Sequence, residues 1–369
     1  MHKLDLIEDQ FDRQKKITWW EQDSLSKSKV LIIGAGALGN EIVKNLALVG
    51  VGEITIVDND KVDITNISRC IFFDETDIGK PKSELLSKKI QTIRNIKSNY
   101  FIAKVQELGV GIFEQFDIVI GALDNREARS WVNEFSRMFG IPWVDGAIEG
   151  LNGLVRSFGK EGVCYECTLS DEDLKLLSVR KSCALLSEED ITLGKVPTTA
   201  TSASIISGFQ TQESLIFLSR KQVEHMPLIG KQMTFFGETM SFLTTNLKEK
   251  SDCYVDHSNI EFQKIITSFD LNIENILEDN QLEGPGKFYR EMVSNISCAD
   301  CGTTKEINKY ISSVKQYEAL CSSCGLEMQI ETDKRIDSFY KKSLNEISFP
   351  DNELIILNNE YILISKDKV

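Results

Sequence analysis

The chain has 369 residues, 41% hydrophobic and 27% charged, with 23 Gly and 6 Pro. This is a globular composition of about two domains' length, which excludes collagen-like, low-complexity and extensively disordered proteins. Its 42 Lys and Arg against 56 Asp and Glu leave a net charge of −14, which opposes nucleic-acid binding, so any anion site has to be locally basic. No segment approaches the ~18 apolar residues of a membrane span, and the start MHKLDLIEDQFDRQ lacks an export signal's basic-then-apolar pattern. The expectation is a cytoplasmic protein with neither a membrane nor a nucleic acid as partner.

The run KVLIIGAGALGNEIVKNLALVGVGEITIVDND reads as an apolar strand, a glycine turn, an amphipathic helix and a second strand ending at Asp58, a right-handed βαβ unit. A helix over about 83–95 follows. Then come strand-like NYFIAKV, FDIVIGAL and IPWVDGAI, with the helix EARSWVNEFSRMFG between the last two. Between about 164 and 196 the periodicity weakens into a polar connection, too long to be idle. PTTATSASIISGFQTQESLIFL then restores a helix, and KQMTFFGETMSFLTTNL reads as two strands turning near Gly237. The expected class is α/β, with a Rossmann-like, mainly parallel sheet in residues 1–260. An acidic linker is expected over 261–286, and over 287–369 a small region with two cysteine pairs and a hairpin turning at Asn358 and Asn359.

In GAGALG, Gly34, Gly36 and Gly39 follow a strand and open a helix, so backbone amides can approach a phosphate at the positive helix end. Asp58 closes the next strand, where a carboxylate accepts from both ribose hydroxyls. These two features fit a dehydrogenase as well as an ATP enzyme. Asn66 and Arg69 in DITNISR and Lys82 in IGKPKSE add two cations and an amide just beyond the ribose position, as a triphosphate requires. Asp124 in GALDN, at the end of a predicted strand on the carboxyl edge of the sheet, could hold Mg²⁺.

The ordered set GAGALGN, VDND, NISR, GKPK and ALDN, then CYEC and PTTATSASIISGFQTQES, resembles the ThiF/MoeB superfamily, which includes the activating enzymes for ubiquitin-like proteins. The likeness spans about residues 10–257, and within the family it points to bacterial activating enzymes of ubiquitin-like conjugation operons. The resemblance makes 1–260 an adenylation domain with a crossover loop at about 164–196, and implies ATP-dependent adenylation of a ubiquitin-like protein's C-terminal glycine. It places Gly34, Gly36 and Gly39 along the nucleotide, Asp58 on the ribose, Arg69 and Lys82 on the phosphates, and Asp124 on Mg²⁺. FDRQ matches the family's aromatic-x-Arg-Gln element, whose Arg13 would reach into the partner's ATP site in a homodimer. Cys70 departs from the family's usual glutamine and reads as a buried or neutral thiol.

Six of the nine cysteines form C-x2-C pairs, which in a chain without an export signal point to metal or reactive thiols rather than disulfides. Cys298, Cys301, Cys321 and Cys324, spaced C-x2-C-x19-C-x2-C, have a zinc-ribbon pattern. Cys164 and Cys167 resemble the first half of the family's structural zinc site. Cys253 matches its second half, and the missing fourth thiol is replaced by His257, with Asp256 the weaker substitute. Two structural Zn²⁺ ions are therefore expected; if instead a late pair completes the early site, the ribbon disappears. Cys183, flanked by Arg180 and Lys181 in VRKSCALL, has cations to stabilise a thiolate. It also matches the family's catalytic cysteine, implying a thioester and hand-over to a conjugating enzyme. The alternative is a sulfur-carrier-protein adenylyltransferase of the thiamine or molybdopterin type, with a binding scaffold and a hydride-transfer enzyme behind it.

Overall fold

A computed structural model describes residues 9–175, 197–253, 255, 257 and 260–367. They divide into two compact units, one formed by 9–105, 113–174, 197–253, 255 and 257, the other by 106–112, 175 and 260–367. Cys183 and Asp256 lie outside the described residues.

The first unit is built on an eight-stranded sheet in the order β3-β2-β1-β4-β5-β6-β7-β8. β1 (Lys29–Ile33), β2 (Glu53–Val57), β3 (Lys97–Phe101), β4 (Ile118–Gly121) and β5 (Trp143–Glu149) run parallel. β6 (Asn152–Phe158), β7 (Lys231–Phe236) and β8 (Ser241–Asn246) continue it antiparallel. Val30, Leu31, Ile32, Ile118, Val119 and Ile120 are all fully buried, because central parallel strands are covered on both faces and so read as continuous apolar runs rather than alternating ones.

Around this sheet lie α1 (Gln22–Lys27), α2 (Ala37–Val49), α3 (Lys82–Ile93), α4 (Arg126–Met138) and α5 (Ala200–Arg220). α2 ends at Gly50, whose φ of 80° is the left-handed cap that suits glycine. α5 buries Ser207, Gln210, Thr211 and Ser214. The Thr211 and Ser214 hydroxyls donate one turn back, to the carbonyls of Ser207 and Gln210, at 2.7 and 2.8 Å. Bonded that way, the Thr211 and Ser214 hydroxyls pass through the core paired. The chain runs outward from β1 to β3, returns, and restarts at β4, which places the strand-order switch between β1 and β4, where open α/β sheets bind ligands. No helix among the described residues is long and apolar enough to cross a membrane.

The second unit has the sheet β11-β10-β13-β14-β9, with β12 also pairing β10. Its strands are β9 (Phe262–Thr267), β10 (Gly286–Ser297), β11 (Thr304–Tyr310), β12 (Gln329–Arg335), β13 (Glu353–Leu357) and β14 (Glu360–Lys366). The expected hairpin is there: Asn358 and Asn359 join β13 to β14 with φ of 49° and 67°, the two left-handed residues that a tight primed turn needs.

The stretch 261–286, expected as an acidic linker, is instead structured. It carries β9 and α6 (Ile273–Asp279), and Ile265, Ile273, Ile276 and Leu277 enter the core. Its acidic residues masked a helical i, i+3, i+4 apolar spacing. Segment 106–112 also belongs here. Arg290 donates to the carbonyls of Gln106 and Leu108 at 2.6 and 3.3 Å and pairs with Glu353, and Gly109 approaches the Asp351 carbonyl so closely that a Cβ would lie 1.9 Å from its oxygen.

Candidate functional site

The three glycines of the turn after β1 do different work. A Cβ on Gly34, at φ 103°, would stand 2.2 Å from the Ala122 carbonyl oxygen after β4, and one on Gly39 would stand 2.1 Å from the Gly34 carbonyl oxygen. Both are needed for the turn, helix and β4 exit to close on one another at the switch point. Gly36, the N-cap of α2, has nothing within 4 Å, so it keeps open the approach to the helix's amides.

Asp58, just past β2, accepts from the Ala35 amide at 2.6 Å and the Asp60 amide at 2.7 Å. Burial pushes its carboxyl up to about 6, with Lys82 opposing the rise and Asp60 adding to it. Lys82 opens α3 and is itself buried, with its Nζ 2.9 Å from the Asp60 carboxylate. Burial works against that ammonium, but Asp58 and Asp60 more than offset it and hold Lys82 above its ordinary value. The Ser83 hydroxyl ties α3 to the Asp58 carbonyl at 2.9 Å.

Asn66 is buried and accepts from the Asp63 amide at 2.9 Å, closing a one-turn cap that presents Arg69. Arg69 donates to the Thr65 carbonyl at 2.5 Å. Cys70 is buried beside these cations, its thiol pushed up to about 11 chiefly by burial. Asp124 lies past the end of β4 rather than within it, in the loop before α4, exposed and 3.2 Å from the Asn125 side chain that caps that helix. Arg13 is exposed, immediately before the one-turn helix Gln14–Lys16.

Asp58 and Lys82 therefore act on each other just past β2, Cys70 feels both of them and Arg69, and Asp124 lies in the loop after β4. Two features of the cluster escaped sequence reading. Asp60 holds Lys82, and its signal was its place in VDND. Beneath the Asp124 loop, the fully buried Asp145 on β5 pairs with Arg129 of α4 at 2.9 Å and with Arg156 of β6 at 2.6 Å. Arg129 also donates to the Leu123 and Gly146 carbonyls. The spacing of these residues across three elements left no local pattern.

Both cysteine clusters assemble. In each of the groups Cys164, Cys167, Cys253, His257 and Cys298, Cys301, Cys321, Cys324, the candidate ligand atoms lie within 4.8 Å of one another. Sγ separations of 3.6 and 3.5 Å in the first, and 3.5, 3.4 and 3.8 Å in the second, far exceed a disulfide of about 2.05 Å. They match the edge of about 3.7 Å that bonds of about 2.3 Å give a tetrahedral zinc thiolate site. His257 Nε2 faces Cys167 at 3.9 Å while Nδ1 contacts Glu249 at 2.7 Å, the arrangement that orients a ligating imidazole. In the second group, Gly302 and Gly325 directly follow their pairs at φ 69° and 75°, letting each pair fold as a tight knuckle. The residues fit two closed sites, and no late pair is shared with the early one.

Comparison with known proteins agrees with this geometry. The ThiF family profile matches residues 9–255. The NEDD8-activating enzyme E1 catalytic subunit of Schizosaccharomyces pombe is 39% identical over 153 residues, 40% of this chain and 34% of that protein. A sulfur carrier protein adenylyltransferase of Thermus thermophilus is 31% identical over 154 residues, 40% of this chain and 57% of that protein. The chain thus spans between about a third and somewhat over half of these curated relatives. Among solved structures, E. coli MccB with ATP superposes with a TM-score of 0.51 at 22% identity, covering 63% of this chain and 68% of that one, a likeness of fold. With the glycine turn, the cation cluster and the matched residues together, the chain belongs to the ThiF family.

Proposed function

We propose that this protein is an ATP-dependent adenylyltransferase that activates the C-terminal glycine of a ubiquitin-like protein, holds it as a thioester on Cys183 and passes it to a conjugating enzyme. The observation that carries the adenylating part is Lys82: a buried cation 2.9 Å from Asp60 and next to the candidate ribose carboxylate Asp58 suits a triphosphate. Likeness to a NEDD8-activating enzyme subunit and a sulfur carrier protein adenylyltransferase supports it.

The Asp58 oxygens, each with one lone pair engaged by a backbone amide, keep the others for the ribose hydroxyls. Gly34, Gly36 and Gly39 let α2 meet the phosphates, Asn66 fixes the turn that presents Arg69, and Arg69 and Lys82 neutralise phosphate charge. A carboxylate oxygen of the modifier attacks the α-phosphorus, the bond to the β-phosphate oxygen breaks, and pyrophosphate leaves. Cations there stabilise charge that builds in the transition state. Asp124 would hold Mg²⁺, which when bound would supply charge neutralisation for the departing pyrophosphate. The Cys183 thiolate then attacks the acyl carbonyl, forming C–S and releasing AMP. Arg13 completes the site from the partner of a homodimer, and the two zinc clusters, each closed by four ligands, are structural.

The likeness to the Thermus thermophilus sulfur carrier protein adenylyltransferase keeps a second reading: the same adenylate, handed to a sulfur donor without an enzyme thioester. The Cys183→Ala variant separates the two. It should still form the adenylate but give no thiol-labile adduct with the modifier. Accumulation of acyl-adenylate by the wild type with no thioester would favour sulfur transfer, and an adduct that persists in Cys183→Ala but vanishes in Cys70→Ala would move the acceptor.

A further inference from the structure

Helix α4 begins two residues after Asp124 and buries Ala128, Val132, Phe135 and Met138 together with a set of polar side chains. Along one stripe, Arg126 pairs with Asp173, the Ser130 hydroxyl donates to Glu166, Asn133 accepts from the Tyr165 amide at 2.8 Å, and Arg137 donates to the Gly162 carbonyl at 2.9 Å. Ser130, Asn133 and Arg137 are buried, as is Glu166. Burying such groups is costly unless they are bonded, and the helix's buried apolar residues already hold it on the sheet, so these bonds fix position more than they add stability. The residues gripped are specific. Tyr165 and Glu166 are the two residues enclosed by Cys164 and Cys167, so the metal knuckle and the grip on α4 are one turn of chain. A second route runs the same way. Arg156 lies 5.0 Å over the Tyr165 ring, donates to Thr168 at 3.2 Å and pairs with Asp145, and Asp145 holds Arg129, which donates to the Leu123 carbonyl next to Asp124.

We infer that the cluster of Cys164, Cys167, Cys253 and His257 positions Asp124: metal binding sets the Tyr165–Glu166 turn, that turn seats α4, and α4 with Arg129 places the loop that carries Asp124. The inference rests on the adenylation reading above. Ser130, Asn133 and Arg129 are positioning residues, acting on nucleotide only through Asp124.

The test uses the full chain and calorimetric dissociation constants for Mg²⁺·ATP and for AMP without added Mg²⁺, with zinc content and far-UV circular dichroism measured on every sample. The His257→Ala variant, freed of zinc at this cluster, should bind Mg²⁺·ATP roughly ten-fold more weakly and AMP within about two-fold of wild type. Ser130→Ala should keep its zinc and show the same selective loss, and the double variant should lose no more than either single one, as expected of two steps on one path. Zinc-depleted protein with a wild-type spectrum and wild-type Mg²⁺·ATP affinity would overturn the inference, as would equal weakening of both ligands. Asp124→Ala is measured alongside: if it binds Mg²⁺·ATP like wild type, the site assignment fails and the coupling with it, whereas weak binding in Asp124→Ala with normal binding in the zinc-depleted and Ser130→Ala proteins rejects the coupling alone.

Discussion

The Ala35 amide, in the turn after β1, donates to the Asp58 carboxylate after β2 at 2.6 Å. The glycine turn after β1 and the end of β2 are thus joined by one hydrogen bond. Asp60 takes part twice, donating its amide to Asp58 and accepting Lys82, so the two residues VDND places around Asn59 organise both ends of α3's contact with the site.

With Asp58 on the ribose as proposed, nucleotide binding should be pH-dependent. Burial raises its carboxyl from an ordinary 3.8 to about 6, so the folded protein holds this proton more tightly than the unfolded chain does. The stability it contributes is full below the ordinary value and is lost as pH rises through about 6. Binding runs the other way, because ribose hydroxyls need the ionised acceptor. AMP affinity should fall as pH drops below about 6, by up to about ten-fold per unit, and Asp58→Asn should be weak and flat across that range. A wild-type affinity that does not change between about pH 5 and about pH 8 would remove Asp58 from the ribose.

Metal analysis should find two zinc ions per chain. Glu249→Gln should weaken retention at the first cluster about 10–100-fold in chelator competition by loosening His257, and leave the second cluster's zinc in place. One zinc in the wild type would return the shared-site arrangement.

Asp145 is buried between two guanidinium groups, so Asp145→Ala should cost ~3–5 kcal/mol in denaturant unfolding by leaving two buried cations without their anion. A loss under about 1 kcal/mol would mean that solvent reaches the pair.

A homodimer with Arg13 acting in trans predicts complementation. Arg13→Ala and Asp124→Ala proteins, each inactive alone, should regain activity when mixed, because mixed dimers hold one intact site. Proven subunit exchange without recovery would place Arg13 in its own chain's site or outside any.

What was legible in the sequence was what obeys local rules. The apolar run Val30–Ile33 of β1, the glycine turn, the Asn358–Asn359 hairpin and both metal clusters follow from spacing within a few residues or from a repeated C-x2-C, and His257 as the replacement ligand followed from a family likeness plus its distance from Cys253. The remainder depended on contacts far apart in the chain. Segment 106–112 joins the second unit through Arg290 and Glu353, nearly two hundred residues on or more, and β6 hid because Arg156 and Ser157, buried in it, are polar in a strand that needs their bonds. Asp145, Arg129 and Arg156 carry no motif at all, since only the sheet brings β5, β6 and α4 to one carboxylate.

Adenylation at Asp58, Lys82 and Asp124 is tested by exchange of labelled pyrophosphate into ATP in the presence of a ubiquitin-like protein ending in glycine. Wild-type protein should exchange, Asp124→Ala should be inactive, and Lys82→Ala should be slower by a factor corresponding to ~3–4 kcal/mol, while Cys183→Ala, blocked only after the adenylate, should exchange normally. Exchange at the wild-type rate in both Asp124→Ala and Lys82→Ala would contradict the account.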